Sequence, residues 1–213
     1  MQPDYQLIYE KLFNHYGPQS WWPADTPFEM MIGSILVQNT NWRNVEKALV
    51  KLRPYLDPES IDFLPIEELA QLIRSSGFFN IKAKRIKAFI AWFKKYNFDI
   101  DRIKRKEKRE LRNELLLING IGMETADVML LYAFDKPVFV VDAYARRIFY
   151  RLGHDMPASY DGFGKLVEKE LPGDLVIFNE SHALLVEHAK QLCRAKPICV
   201  ECPLLSICDQ RIE

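Results

Sequence analysis

Residues 117–127 read LINGIGMETAD, and the paired glycines Gly120 and Gly122 constrain the fold more than any other feature of the chain. On the near side, Leu111, Leu115 and Ile118 fall at i, i+4 and i+7, which puts them on one helix face. On the far side, METADVMLLYAF is a second, mostly apolar helical stretch. Two helices so close in sequence make a tight hairpin, and glycine accepts positive φ and lets another backbone come near. The second helix then begins with exposed N–H groups and the positive end of its dipole, a seat for a phosphate. For G-x-G taken alone, an ordinary turn between helices with a glycine cap is the simpler account.

The remaining pattern is all-α. FEMMIGSILVQ at 28–38 is apolar nearly all round, as a buried helix is. Ile81, Ile86, Phe89, Ile90 and Phe93 recur at helical spacings among lysines and predict an amphipathic helix. Asp142 is placed to cap a helix running through Leu152 and ended by Gly153, and 174–192 reads as the last long helix. The one extended run, PVFVV at 137–141, is too short to build a sheet. A chain of 213 residues, 48% hydrophobic, can form one or two domains with a real core. No run of 18 apolar residues predicts a membrane span. The first residues, MQPDYQLIYEKLF, lack the marks of a signal peptide, so a cytoplasmic protein is expected.

A net charge of zero hides a basic segment: residues 82–109 hold twelve Lys or Arg, Lys82, Lys84 and Arg85 among them, against three acids. A solvated helix surface accounts for such a run. Its position just before the glycine turn favours a phosphate-facing surface instead.

The cysteines are more specific. All four, Cys193, Cys199, Cys202 and Cys208, lie within 16 residues in a C-x5-C-x2-C-x5-C pattern. Cytoplasmic proteins rarely keep disulfides, and four thiolates in one short loop form a closed tetrahedral set. Zinc fits such a set, and so does a [4Fe–4S] cluster. The compact run with a single C-x2-C pair favours iron–sulfur over a zinc ribbon. The histidines, His15, His154, His182 and His188, show no ligand spacing and read as surface or packing residues.

A glycine hairpin, an apolar run ending in Asp and a C-terminal four-cysteine loop together resemble the endonuclease III superfamily, the helix-hairpin-helix DNA glycosylases. The resemblance rests on PFEMMIGSILVQNT (27–40), LLLINGIGMETADVMLLYAF (115–134), VFVVDAYARRIF (138–149) and the cysteine loop, although the first cysteine gap here is five residues where the family usually has six. It implies a six-helix barrel domain at 27–135, with the hairpin at about 111–134, and a helical iron–sulfur domain made of 1–26 plus 136–213. It implies a partner, double-stranded DNA with a damaged base, bound between the domains by a monomer associated with the nucleoid, the damaged nucleotide being flipped out for base excision repair. DNA contacts carried over are Gln38, which would fill the hole left by that nucleotide, Gly120, Ile121, Gly122, Met123 and Thr125 of the hairpin, and Lys82, Lys84 and Arg85. The four cysteines would hold a [4Fe–4S] cluster, and carbonyls of Leu116, Ile118 and Ile121 a monovalent cation.

Bifunctional members of that superfamily carry a catalytic lysine two residues after the second hairpin glycine, where it attacks the sugar and forms an imine. Here that position is Glu124, and a carboxylate cannot form an imine. The superfamily's catalytic aspartate matches Asp142 in VVDAY, where it would stabilise oxocarbenium character and orient water. WWP (21–23), QNT (38–40), SGFFNIKAKR (76–85) and INGIGMETAD (118–127) are similar to the 3-methyladenine DNA glycosylase III branch, which often lacks the cysteine loop. A cationic alkylated purine favours aromatic faces, so Trp21, Trp22, Pro23 and Trp42 are the expected base pocket. The implied activity is release of an alkylated purine without strand cleavage. Members acting on adenine opposite oxidised guanine carry a glutamate where this chain has Ser34 or Gly33. A thymine or uracil mismatch glycosylase, a bifunctional glycosylase/lyase and a non-catalytic DNA-binding iron–sulfur protein are the alternatives.

Overall fold

A computed structural model describes residues 4–19 and 24–212. It is all-α, with no β-strand among the described residues. In chain order the helices are α1 (Tyr5–Tyr16), α2 (Pro27–Leu36), α3 (Trp42–Leu52), α4 (Pro58–Phe63), α5 (Ile66–Leu72), α6 (Phe79–Lys94), α7 (Ile100–Lys104), α8 (Lys108–Leu116), α9 (Met123–Tyr132), α10 (Ala143–Arg151), α11 (Tyr160–Glu170) and α12 (Leu175–Gln191). None is long and apolar enough to cross a membrane. The chain divides into two compact units, one of Pro23–Lys136 and one of Met1–Trp22 with Pro137–Glu213.

The Pro23–Lys136 unit is built around α2. Thr26 caps it by accepting from the Glu29 amide at 3.1 Å, and Pro27 opens its first turn with a preset φ. Met31, Ile32, Ile35 and Leu36 are fully buried, each worth about 1.5–3 kcal/mol of burial. Helices α3, α6 and α9 pack on α2. On α6 the sequence pattern holds for Ile86, Phe89, Ile90 and Phe93, all buried, while Ile81 faces solvent. Helices α8 and α9 form the hairpin. Arg112 closes it from inside with a two-pronged pair to the buried Asp127, Nε to Oδ1 at 2.6 Å and Nη2 to Oδ2 at 3.1 Å.

The second unit packs α10 and α1 against α12, with α11 on α1. The run 138–141 is buried, yet it joins no sheet. Helix α11 supplies what a neighbouring strand would: the Phe139 amide donates to Glu168 Oε1 at 3.0 Å, and the Val141 amide to the Tyr160 hydroxyl at 3.2 Å. Stacked Phe139 and Phe163, with Phe149 edge-on to both, fill the space beneath. This held strut delivers Asp142 to the start of α10.

Candidate functional site

The two hairpin glycines do different work. Gly120 has φ +89°, and a Cβ there would stand 2.2 Å from Arg85 Cγ, so both the turn and its packing require glycine. Gly122 is the N-cap of α9 with ordinary extended backbone, and a Cβ there would meet nothing within 4 Å. The fold therefore does not need a glycine at 122. No side chain caps α9, and Met123 and Glu124 in its first turn are exposed. The amides of such a helix end are the kind of group that receives an anion. Glu124 is the acid of that first turn. Leu116 ends α8, Ile118 and Ile121 lie in the loop, and the Ile118 carbonyl accepts from the Ile121 amide at 3.1 Å.

The structure gives several of the expected DNA contacts partners within their own unit. The Ile121 amide closes the turn onto Ile118 and so is not offered outward. Thr125 is buried, its hydroxyl accepting from Gln38 Nε2 at 3.0 Å. Lys82 is 1% exposed and cannot reach a phosphate. Its Nζ donates to the Leu36 carbonyl at 2.7 Å and the Ser76 carbonyl at 2.6 Å, closing the C-terminal end of α2. Lys87, Lys94, Lys104 and Lys106 are likewise engaged, with carbonyls or carboxylates. Part of the basic segment is thus spent on the unit's own carbonyls and carboxylates, while Lys84, Lys94, Lys95, Arg102, Arg105 and Arg109 are exposed.

Gln38, just past α2, is tied at three points. Its Nε2 donates to the Gly120 carbonyl at 3.0 Å and to Thr125, and its Oε1 accepts from Arg85 Nη1 at 2.5 Å. Arg85 packs over Gly120 and holds Gln38, so it supports the hairpin from behind. Phe78, which sequence reasoning passed over, is 64% exposed with φ +46° at the start of α6. A non-glycine residue there carries roughly 1–3 kcal/mol of strain, which tends to persist where a contact is made. Only its place after Gly77 hinted at this.

Lys82 sets a measurable pH dependence. Burial, and then Arg85 nearby, lower its pKa from 10.5 to about 8. The folded protein therefore sheds this proton before the unfolded chain does, and the folded state gains stability as pH rises from about 8 to 10.5. A neutral amine still has two hydrogens for the two carbonyls. Lys82→Met leaves both carbonyls unpaired and is expected to cost about 2–4 kcal/mol at pH 7. Denaturant melts across pH 7–11 check this: the difference between wild type and variant should widen above pH 8, and a constant difference would contradict it.

Of the expected aromatic pocket, Trp21, Trp22 and Pro23 lie outside the described residues. Trp42 starts α3, and its Cη2 would be 3.1 Å from a Cβ built on Gly33. Its indole thus fills the room a side chain at 33 would take. Ser34 is buried, donating to the Met31 carbonyl at 2.7 Å. Neither position has space for a glutamate reaching out.

In the other unit, Asp142 caps α10: its Oδ1 accepts from the Ala145 amide at 2.7 Å. Its Oδ2 lies 3.7 Å from His182 Nε2, and both side chains are nearly buried. One carboxylate oxygen is consumed by the cap and the other is left facing an imidazole. His182 was missed because it sits 40 residues along the chain, on α12, with no local signal.

The four cysteines follow α12 and line one cavity with Ile148, Leu192, Ile198 and Leu204. None is in a disulfide. Two arginines of α10 hold the loop. Arg147 Nε donates to the Cys193 carbonyl at 3.0 Å, and Arg151 to the Arg194 and Ala195 carbonyls at 2.6 and 3.1 Å. Nitrogen donors also face the sulfurs: Arg151 Nη1 is 3.5 Å from Cys193 Sγ, and the Gln210 amide is 3.4 Å from Cys208 Sγ. Burial pushes the free Cys202 and Cys208 thiols up. His188, 1% exposed, stands beside this cavity with its pKa lowered to about 4, by burial first. Four thiols lining one cavity are a donor set that an iron–sulfur cluster can use.

The chain belongs to the HhH-GPD superfamily of base excision DNA repair proteins, whose pattern matches residues 32–172. It is 46% identical over 206 residues, 94% of either chain, to a proposed DNA repair glycosylase of Methanocaldococcus jannaschii. Among solved structures it is similar to an endonuclease III in non-covalent complex with DNA, with a TM-score of 0.83, 27% identity and coverage of 99% of this chain and 97% of that one. It is also similar to the Helicobacter pylori 3-methyladenine DNA glycosylase bound to 1,N6-ethenoadenine, with a TM-score of 0.79, 28% identity and coverage of 89% and 98%. It is thus a member of the endonuclease III superfamily of base excision DNA repair glycosylases.

Proposed function

We propose that the protein is a monofunctional glycosylase that releases an alkylated purine such as 3-methyladenine from double-stranded DNA and leaves the abasic strand intact. The observation that carries this reading is the pairing of a retained carboxylate with a missing amine. Asp142 is held by its own helix cap with one oxygen free of that bond, while the exposed first turn of α9 presents Glu124. A carboxylate in the first position stabilises positive charge developing at the sugar. A carboxylate in the second has no nucleophilic route to an imine. An N3-alkylated adenine is already a cationic leaving group and needs little acid catalysis, which suits a site with one aspartate. The likeness to a glycosylase holding an etheno-adenine supports an adenine-derived base. Trp42, with Trp21, Trp22 and Pro23, is proposed to receive it.

On the DNA side, the amides of Gly122 and Met123 at the uncapped start of α9 are proposed to hold a phosphate. Lys84 adds charge, Arg85 and Gln38 keep the turn in shape, and the Leu116, Ile118 and Ile121 carbonyls are the proposed cation ligands. The protein acts as a monomer, in the cytoplasm with the nucleoid.

Incubation with methylated duplex DNA should release free 3-methyladenine, read by chromatography, with the strand uncut until alkali is added. Borohydride should trap no protein on DNA. Efficient trapping, or release of oxidised pyrimidines with strand nicking, would instead favour the bifunctional reading that similarity to endonuclease III suggests.

The donor set of Cys193, Cys199, Cys202 and Cys208 fits a [4Fe–4S] cluster: four thiols, none in a disulfide, in an apolar cavity with nitrogen donors beside the sulfurs. With every iron held by sulfur, such a group supplies order to the loop. Protein purified without oxygen should be brown and hold about four irons and about four sulfides per chain; stoichiometric zinc with no acid-labile sulfide would rule this out.

A further inference from the structure

We propose that His188 donates a hydrogen bond to the Cys202 sulfur in the cluster-loaded protein, and that Tyr16 fixes the ring tautomer that makes it a donor. This inference rests on the iron–sulfur reading above. His188 lies near the end of α12, Tyr16 ends α1, and Cys202 lies in the C-terminal loop. The Tyr16 hydroxyl is 2.9 Å from His188 Nδ1, and His188 Nε2 is 3.7 Å from Cys202 Sγ. A single buried ring thus links α1, α12 and the C-terminal loop.

The chemistry of each group decides the direction of the bonds. A free thiol can donate or accept, so either tautomer of His188 is tolerated beside it. A thiolate bound to metal has lost its proton and can only accept. Facing it, a ring nitrogen with a lone pair is repelled, whereas a ring N–H is attracted. Loading therefore favours the tautomer with the proton on Nε2. That leaves Nδ1 as a bare acceptor, and the Tyr16 hydroxyl fixes this tautomer by donating its proton to Nδ1. With the four cysteines as the cluster's ligands, His188 acts as a supporting donor. With Arg151 beside Cys193 and the Gln210 amide beside Cys208, it extends nitrogen donation to a third sulfur. Donors to ligand sulfur withdraw electron density, which raises the reduction potential and slows oxidative loss of iron.

The test compares wild type, His188→Phe, His188→Gln and Tyr16→Phe, all purified without oxygen. Iron and sulfide are counted first, and circular dichroism checks the fold. The midpoint potential is then measured by mediated titration, and the rate of bleaching in air by visible absorbance. His188→Phe is expected to shift the potential negative and bleach severalfold faster. Tyr16→Phe should shift it the same way by less, because the ring remains but its tautomer is no longer fixed. His188→Gln, whose amide can donate, should recover part of the loss. Should His188→Phe fail to fold, Tyr16→Phe and His188→Gln carry the comparison. Potentials and bleaching rates equal to wild type, at full iron content, would overturn the proposal. Zinc in place of iron in the wild-type protein would overturn the cluster reading itself, an outcome seen at the first step.

Discussion

Asp142→Asn is expected to slow base release by about a hundredfold to a thousandfold, the usual cost of removing one well-placed electrostatic group. The substitution is informative because it separates the two things this residue does. Asparagine is as good an N-cap as aspartate, so its amide oxygen can keep the 2.7 Å bond from the Ala145 amide. The buried strut and α10 should therefore stay in place, and thermal stability should change little. What disappears is the negative charge beside His182. Base release by chromatography, set against an unchanged melting curve, is the measurement. A second comparison sharpens it: Glu124→Gln, at the position where other members hold a nucleophile, should cost far less. Full activity of Asp142→Asn would remove the aspartate from the mechanism.

Gly122→Asp should weaken binding to duplex DNA of any sequence by about tenfold or more, yet leave the protein at least as stable as wild type. An added Cβ at 122 meets open space, and aspartate is a better helix cap than glycine. The same carboxylate would sit where the amides of α9 are proposed to receive a phosphate, and like charges at contact distance cost about 1–4 kcal/mol near a protein surface. Gly120→Ala should show the reverse ordering. Its φ of +89° and the Arg85 side chain over it make the loss one of folding before it is one of binding. Affinity by fluorescence anisotropy and stability by thermal melts, measured on both variants, distinguish the two glycines. Unchanged affinity in folded Gly122→Asp would place the phosphate elsewhere.

What the sequence disclosed follows from the range of the interactions involved. The buried α2, the glycine hairpin, the cap at Asp142 and the long α12 are written in spacings of a few residues, and each appears where the pattern put it. Lys82 was indistinguishable from the other lysines of α6, because what takes it inside is a pair of carbonyls on Leu36 and Ser76. His182 and His188 read as surface or packing residues for the same reason: their partners Asp142, Tyr16 and Cys202 come from other elements. The difference between Gly120 and Gly122 lies in one dihedral angle and one neighbour, which two identical letters cannot express.

The strut before Asp142 has a consequence for how the protein fails. Pro137–Val141 carries four consecutive buried residues of high β propensity and no charge. In the native state the Phe139 and Val141 amides are shielded by Glu168 and Tyr160 of α11. Loosening of that one helix would bare an unpaired, apolar edge of the kind that recruits other chains into cross-β assemblies. The same segment that aims the carboxylate is then the place where aggregation on heating would begin, and α11 serves as its guard.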